Sequence, residues 1–157
     1  MFQIRQVPVR HVAGFHLVGP WERTVPKGFE QLMLWVKTHD IPAREWIAAY
    51  YGNPDIISPE KLACDTVVWV DDDFVVPPAS EGVILTALAA GEYAVCRADV
   101  ENNDFATPWR AFFQALLSEG NYRLAEKPCY EIYLNDGAQT GNWQIDMYIP
   151  VVESTSH

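Results

Sequence analysis

The apolar pattern of this chain runs through one order of elements twice, and that order limits the fold more than any other feature. Short segments rich in β-branched and aromatic residues, bounded by Gly, Pro, Asn or Asp, predict strands over 2–7, 12–18, 46–52, 65–70, 83–88, 92–99, 129–135 and 143–150. Two segments carry helical spacing instead. Phe29, Leu32, Met33 and Val36 fall at i, i+3, i+4, i+7, with a start signal at Thr24 and Pro26 and a stop at Asp40-Ile41-Pro42, which predicts a helix near 25–38. Trp109, Phe112, Phe113, Leu116 and Leu117 repeat the spacing. Thr107-Pro108 reads as N-cap and first turn, and Gly120 closes a helix near 108–118. The order is therefore ββαββ followed by ββαββ.

Local matches support an internal duplication. Gly14 answers Gly91, a shift of 77; Tyr51 answers Tyr133, a shift of 82; Asp65 answers Asp146, a shift of 81. The expected fold is α+β: a duplicated βαββ-type repeat, two antiparallel sheets each with a helix, related by a pseudo-two-fold axis with a central groove. One domain spans 1–157, with repeat one over about 1–78, repeat two over about 79–152 and a tail at 153–157. A half of this size buries little surface alone, so the halves are expected to share a core, and a cleft at such a junction suits a small molecule.

Charge narrows the partners. The chain holds 21 acids against 11 bases, a formal charge of −10. Nucleic-acid affinity comes largely from Lys and Arg displacing counterions, so direct contact with nucleic acid is not expected. A basic protein or a cationic small molecule fits better, and plain solubility is the competing account. Cys64, Cys96 and Cys129 are odd in number, widely spaced and without a CxxC, so neither a disulfide framework nor a zinc site follows. The four histidines are scattered with no paired metal spacing, and no metal or cofactor is expected. Asp71-Asp72-Asp73 reads as a solvated loop. No apolar run reaches the roughly 20 residues of a membrane span. The first twenty residues lack a continuous apolar leader, so a membrane partner and secretion are not expected, and the cytoplasm is.

Alternation along the strands selects candidate site residues. Asp146 and Tyr148 are expected on one face of 143–149, and Glu131 and Tyr133 on the matching face of 129–135, with the apolar sets turned to the helices. Tyr51 and Asp65 are their counterparts in the first half, and Trp69 stands on the face of Asp65. Aromatic walls with carboxylates suit a flat cationic or amphipathic ligand; a hydrogen-bonded polar sheet face needs no ligand at all. A Tyr–carboxylate pair can also do acid/base work, although no GxSxG, HExxH or phosphate loop is present and catalytic residues are not assigned. The segment 87–93 joins the repeats. Ala90 and Gly91 allow close backbone approach, and Glu92 and Tyr93 offer a charge and an aromatic anchor for a protein partner; a tight hairpin turn is the alternative.

The run Val12-Ala13-Gly14-Phe15-His16-Leu17-Val18-Gly19-Pro20-Trp21-Glu22 resembles the stand-alone members of the GyrI-like effector-binding-domain family. So do Tyr50-Tyr51-Gly52-Asn53-Pro54-Asp55, Glu60 to Val68, Ser80 to Thr86 and Lys127 to Asn135. The resemblance covers about residues 10–150. It implies a duplicated α+β fold, a cytoplasmic stress-response role, binding to DNA gyrase with inhibition of supercoiling, and protection against toxins that trap gyrase on DNA. It also implies a second activity class: binding of cationic drugs through a buried late-strand acid, matched here by the shorter Asp146, or hydrolysis of DNA-alkylating toxins.

Overall fold

A computed structural model describes residues 2–137 and 139–154. The tail beyond Ser154 lies outside the described residues. The elements in chain order are β1 (Gln3–Val7), β2 (Arg10–Val18), α1 (Trp21–His39), β3 (Trp46–Tyr51), β4 (Ala63–Trp69), β5 (Val83–Leu88), β6 (Gly91–Val100), α2 (Ala106–Glu119), β7 (Tyr122–Leu124), β8 (Cys129–Tyr133) and β9 (Trp143–Glu153), with a 3₁₀ turn at Pro59–Lys61. The class is α+β, with two α-helices and antiparallel strand pairing throughout the described ladders.

The chain divides into two compact units. One holds the segment up to Pro8 together with everything from Ala90 onward; the other runs Val9–Ala89. In the Val9–Ala89 unit the strand order is β3-β4-β2-β5. In the other it is β8-β9-β6-β1, with β7 also on β9. The sequence-order halves 1–78 and 79–152 are therefore not the compact units. The first strand of each expected repeat goes where its apolar side chains find a core. Phe2 and Ile4 pack on the cluster under α2, built from Ala94, Phe112, Leu116, Ile145, Met147 and Ile149. Val83 packs on the cluster under α1, built from Ala13, Leu32, Trp35, Ile41, Val68 and Val70. The same pairings correct the hairpin alternative: β5 pairs with β2, and β6 pairs with β1 and β9.

Both helices begin earlier than their sequence signals. Trp21 anchors the first turn of α1 through its indole N–H, which donates to Ala63 O at 2.8 Å, and its ring meets Tyr50 at 4.9 Å. That tertiary contact places Pro26 inside the helix. Asp40, at φ 53°, ends it, and its N–H bonds Val36 O. Before α2, Asp104 accepts from the Thr107 N–H at 3.2 Å and from the Thr107 hydroxyl at 2.7 Å, so Asp104 satisfies the orphan donor and Thr107 lies within the helix. The buried stripe of α1 contains Gly28, Leu32 and Trp35, while Met33 is 52% exposed. The short β7 escaped the sequence pattern because three residues carry no readable period.

Two cross-strand pairs recur at one sequence offset. His16 lies opposite Asp65 on β2–β4, and Arg97 opposite Asp146 on β6–β9, an offset of 81 on both strands. The same offset takes Gly14 to Val95, not to Gly91. Gly14 is required by packing: a Cβ there would lie 2.1 Å from Thr66 O and 2.7 Å from Val67 Cα. Both obstacles are backbone and cannot swing away. Gly14→Ala should therefore destabilise the protein by about 1–3 kcal/mol, the usual cost of overpacking, read as a lower urea midpoint at unchanged slope. An unchanged midpoint would exclude this close approach.

Candidate functional site

In the Val9–Ala89 unit, Asp65 is the centre of a polar cluster. It sits on β4 between His16 of β2 and Ala49 of β3. Ala49 is small, which leaves room for Tyr51, two residues further along the same face. The Tyr51 hydroxyl donates to Asp65 Oδ2 at 2.8 Å, and His16 Nδ1 lies 2.6 Å from Oδ1, placed to donate in its Nδ1–H tautomer. Asp65 is 3% exposed, whereas the His16 side chain is 45% exposed. Burial, then the charge and hydrogen bond of Asp65, push the Tyr51 phenol well above its ordinary value. Trp69 shares this face but takes other partners. The guanidiniums of Arg10 and Arg44 lie over its ring, 5.1 and 5.0 Å from the centroid. Arg10 also bonds Glu45 at 3.1 Å, and Arg44 pairs with Asp71.

In the other unit the expected face assignment fails for half of its residues. Cα partners across β8 and β9 are Glu131 with Met147 and Ile132 with Asp146. Partnered residues share a face, so Glu131 and Tyr133 point to the α2 side with Met147 and Ile145, and Asp146 and Tyr148 point the other way. The assumption that apolar sets always face the helix put Glu131 on the wrong side. α2 supplies the polar partner that reverses the preference: the Trp109 indole N–H donates to Glu131 Oε1 at 2.6 Å. The Tyr133 hydroxyl donates to Oε2. Glu131 is fully buried at 0% exposure, and these two donors offset the cost of removing it from water. Tyr133 in turn meets Phe105 and Trp143, with ring centroids at 6.1 and 5.2 Å.

On the opposite face, Asp146 accepts two bonds from Arg97, at 2.9 and 3.2 Å. The buried late-strand acid of this unit is thus Glu131 on β8, not Asp146 on β9. Tyr148 stacks on Tyr130 with centroids 4.7 Å apart and planes 10° from parallel, and Tyr93 meets both edge-on.

The GyrI-like small molecule binding domain family matches residues 1–152 of this chain. The chain belongs to the GyrI-like family. Among its curated relatives, the DNA gyrase inhibitor of Citrobacter koseri is 57% identical over 150 residues, 96% of this chain and 97% of that protein. The DNA gyrase inhibitor of Cronobacter sakazakii is 59% identical over 153 residues, 98% of each. Among solved structures, SAV2435 bound to tetraphenylphosphonium superposes with a TM-score of 0.66 at 11% identity, covering 97% of this chain and 94% of that one, a likeness of fold.

In this GyrI-like chain the expected partner segment is largely built into a sheet. Gly91 opens β6 opposite Val7, Glu92 lies opposite Gln6, and Tyr93 lies opposite Arg5 on one side and Pro150 on the other. Tyr93 is 1% exposed, so its ring is a core anchor and not a presented one. Ala90 O accepts from Lys127 Nζ at 3.3 Å, and the Gln6 amide donates to Glu92 at 3.4 Å.

Sequence reasoning missed His16, Trp109, Arg97 and Tyr130. His16 and Arg97 were legible only through ladder register. Trp109 was read as a core position, although a buried indole N–H needs an acceptor. Cys64, Cys96 and Cys129 are free thiols. Burial raises all three, Cys129 to about 12. Among the described residues no cluster of His, Cys, Asp and Glu could hold a metal, and no helix is long and apolar enough to cross a membrane.

The raised Tyr51 phenol has a signed consequence. Folding favours its neutral form, so the stabilisation is complete below the ordinary value of 10.0 and is lost as pH rises above it. The stability difference between wild type and Tyr51→Phe, from urea unfolding, should shrink between about pH 9 and about pH 11. A constant difference would show that Asp65 and burial do not hold this phenol neutral.

Proposed function

We propose that this protein binds DNA gyrase, reduces its supercoiling activity and protects the cell against toxins that act through gyrase. The observation that carries the reading is the near full-length identity of 57–59% to proteins named DNA gyrase inhibitor. The charge of −10 supports a protein contact over a DNA contact, because an enzyme that holds DNA carries basic surface to which an acidic protein is drawn. The protein acts as a binding protein and not as an enzyme, in the cytoplasm where gyrase works. In a supercoiling assay with purified gyrase and relaxed plasmid, the protein should block supercoiling at low salt and lose potency as salt rises. Retention of duplex DNA by the protein alone in a gel shift at about 0.15 M salt would overturn the protein-contact mechanism.

A second reading rests on Glu131. A fully buried carboxylate beside Trp109, Tyr133, Phe105 and Trp143 has the ingredients for a lipophilic cation: a negative charge and aromatic faces. The family description as a small molecule binding domain and the tetraphenylphosphonium bound to a protein of similar fold support it. The Trp109 indole occupies one oxygen of Glu131, so a cation reaches the charge by displacing that hydrogen bond. Tetraphenylphosphonium at 100 times its dissociation constant should add about 2.7 kcal/mol of stability. Glu131→Gln should abolish the thermal shift. A shift of the same size in the variant would remove the carboxylate from ligand binding.

A further inference from the structure

The strands at the ends of the described ladders are not equally protected. β1 and β5 each pair along one side only among the described residues. Such an edge exposes backbone N–H and C=O groups that template another strand, and proteins ordinarily blunt it with charge, proline or irregularity. β1 follows that rule: it reads Gln-Ile-Arg-Gln-Val, with Gln3, Arg5 and Gln6 exposed, and Pro8 follows it. β5 does not. Its six residues, Val-Ile-Leu-Thr-Ala-Leu, contain no charge and no proline. Leu85 is 51% exposed, and Thr86 and Ala87 are exposed beside it.

β5 is also well anchored on its inner side. It pairs with β2 in continuous register from Val83 opposite Phe15 to Leu88 opposite Arg10. Val83 packs on the α1 core and Leu88 is 3% exposed, so the two ends of the strand are fixed while its middle faces outward. Antiparallel strands direct the backbone groups of alternate residues to opposite sides, so about three of the six residues offer both groups to an incoming chain. The charges presented nearby are acidic. Glu81 is exposed just before the strand. Asp72 is 90% exposed and lies 3.5 Å from His11, the Cα partner of Ala87. Arg10, the Cα partner of Leu88, is 7% exposed and bound to Glu45.

We propose that the free edge of β5 is the docking site for gyrase, and that it takes an extended segment of basic character from that partner as an added antiparallel or parallel strand. The inference rests on the gyrase-binding reading above and names its surface. Backbone hydrogen bonds along Val83–Leu88 supply pairing, the exposed Leu85 covers an apolar side chain of the incoming strand, and Glu81 and Asp72 select for basic flanks.

The test is binding of intact gyrase to the immobilised full chain, together with amide hydrogen exchange of the wild-type protein with and without gyrase. Leu85→Lys with Thr86→Lys places two guarding charges on the edge. Leu34→Lys with Leu117→Lys, at helix positions 67% and 54% exposed, makes the same charge change elsewhere. The edge variant should lose at least about tenfold in affinity, a difference of about 1.4 kcal/mol, and the control should lose less than about twofold. Gyrase should slow exchange at amides of residues 83–88 in the wild-type protein, a readout that does not depend on any variant folding. Gyrase binding with unchanged exchange at β5 would overturn the edge as the site while leaving gyrase as the partner. Absence of any gyrase binding would overturn both. Protection of β5 that grows with protein concentration in the absence of gyrase would assign the edge to a second copy of this chain and overturn the proposal.

Discussion

β9 governs the unit that contains Glu131. It is eleven residues long and pairs with β6 on one side and with β8 and then β7 on the other. Side chains alternate along a strand, so its register against β8 fixes the face of every neighbouring side chain at once. With Met147 opposite Glu131, the acid falls under α2 and meets the Trp109 indole. A slip of one residue would move Glu131 to the face of Asp146 and Tyr148 and take the acceptor away from the half-buried Trp109 indole. The carboxylate and the register therefore specify each other, one through hydrogen bonding and the other through the pleat.

The Val9–Ala89 unit solves the same problem with a different allocation. Its buried acid, Asp65, lies on the strand in the β9 position of the order and on the face away from α1. The α1 face is left to Ala13, Leu32, Trp35, Val68 and Thr66. Helix and sheet approach so closely there that a Cβ on Gly28 would lie 2.4 Å from Thr66 Oγ1. Under α1 the indole is that of Trp35, and its N–H donates to Ser80 Oγ at 2.9 Å rather than to an acid. One unit thus carries its buried acid under the helix and the other carries it on the opposite face, beside an exposed imidazole. Similar element orders have produced two chemically distinct clusters.

Under the two proposals, these clusters and the β5 edge divide the tasks of binding between them. A buried acid among aromatic rings attracts a small cation through charge and ring quadrupoles. A strand edge recognises backbone and is indifferent to most of the partner's side chains. In the proposed function, gyrase binding and small-molecule binding therefore place few demands on the same residues, and the family description as a small molecule binding domain stands alongside relatives named gyrase inhibitors without conflict.

Strand and helix positions were legible in the sequence because their signals are local. β-branched runs bounded by turn residues located eight of the nine strands of the described residues to within a few residues, and the apolar stripe at Phe112 and Leu116 located α2. The residue types of the polar clusters were legible too: alternation put Glu131 and Tyr133 on one face, and the expected repeat set Tyr51 and Asp65 together as their counterparts; each pair is hydrogen-bonded. Tertiary structure decided the rest. Period two says which residues share a face but not which face is inward, and for β8 a single indole N–H on α2 reversed the choice made from hydrophobicity. Likewise, the apolar patterns of β1 and β5 announce strands, but which core receives them depends on where Phe2, Ile4 and Val83 find packing partners distant in the chain. Local pattern fixes the kind of element; partner, face and register arise from contacts that sequence spacing does not encode.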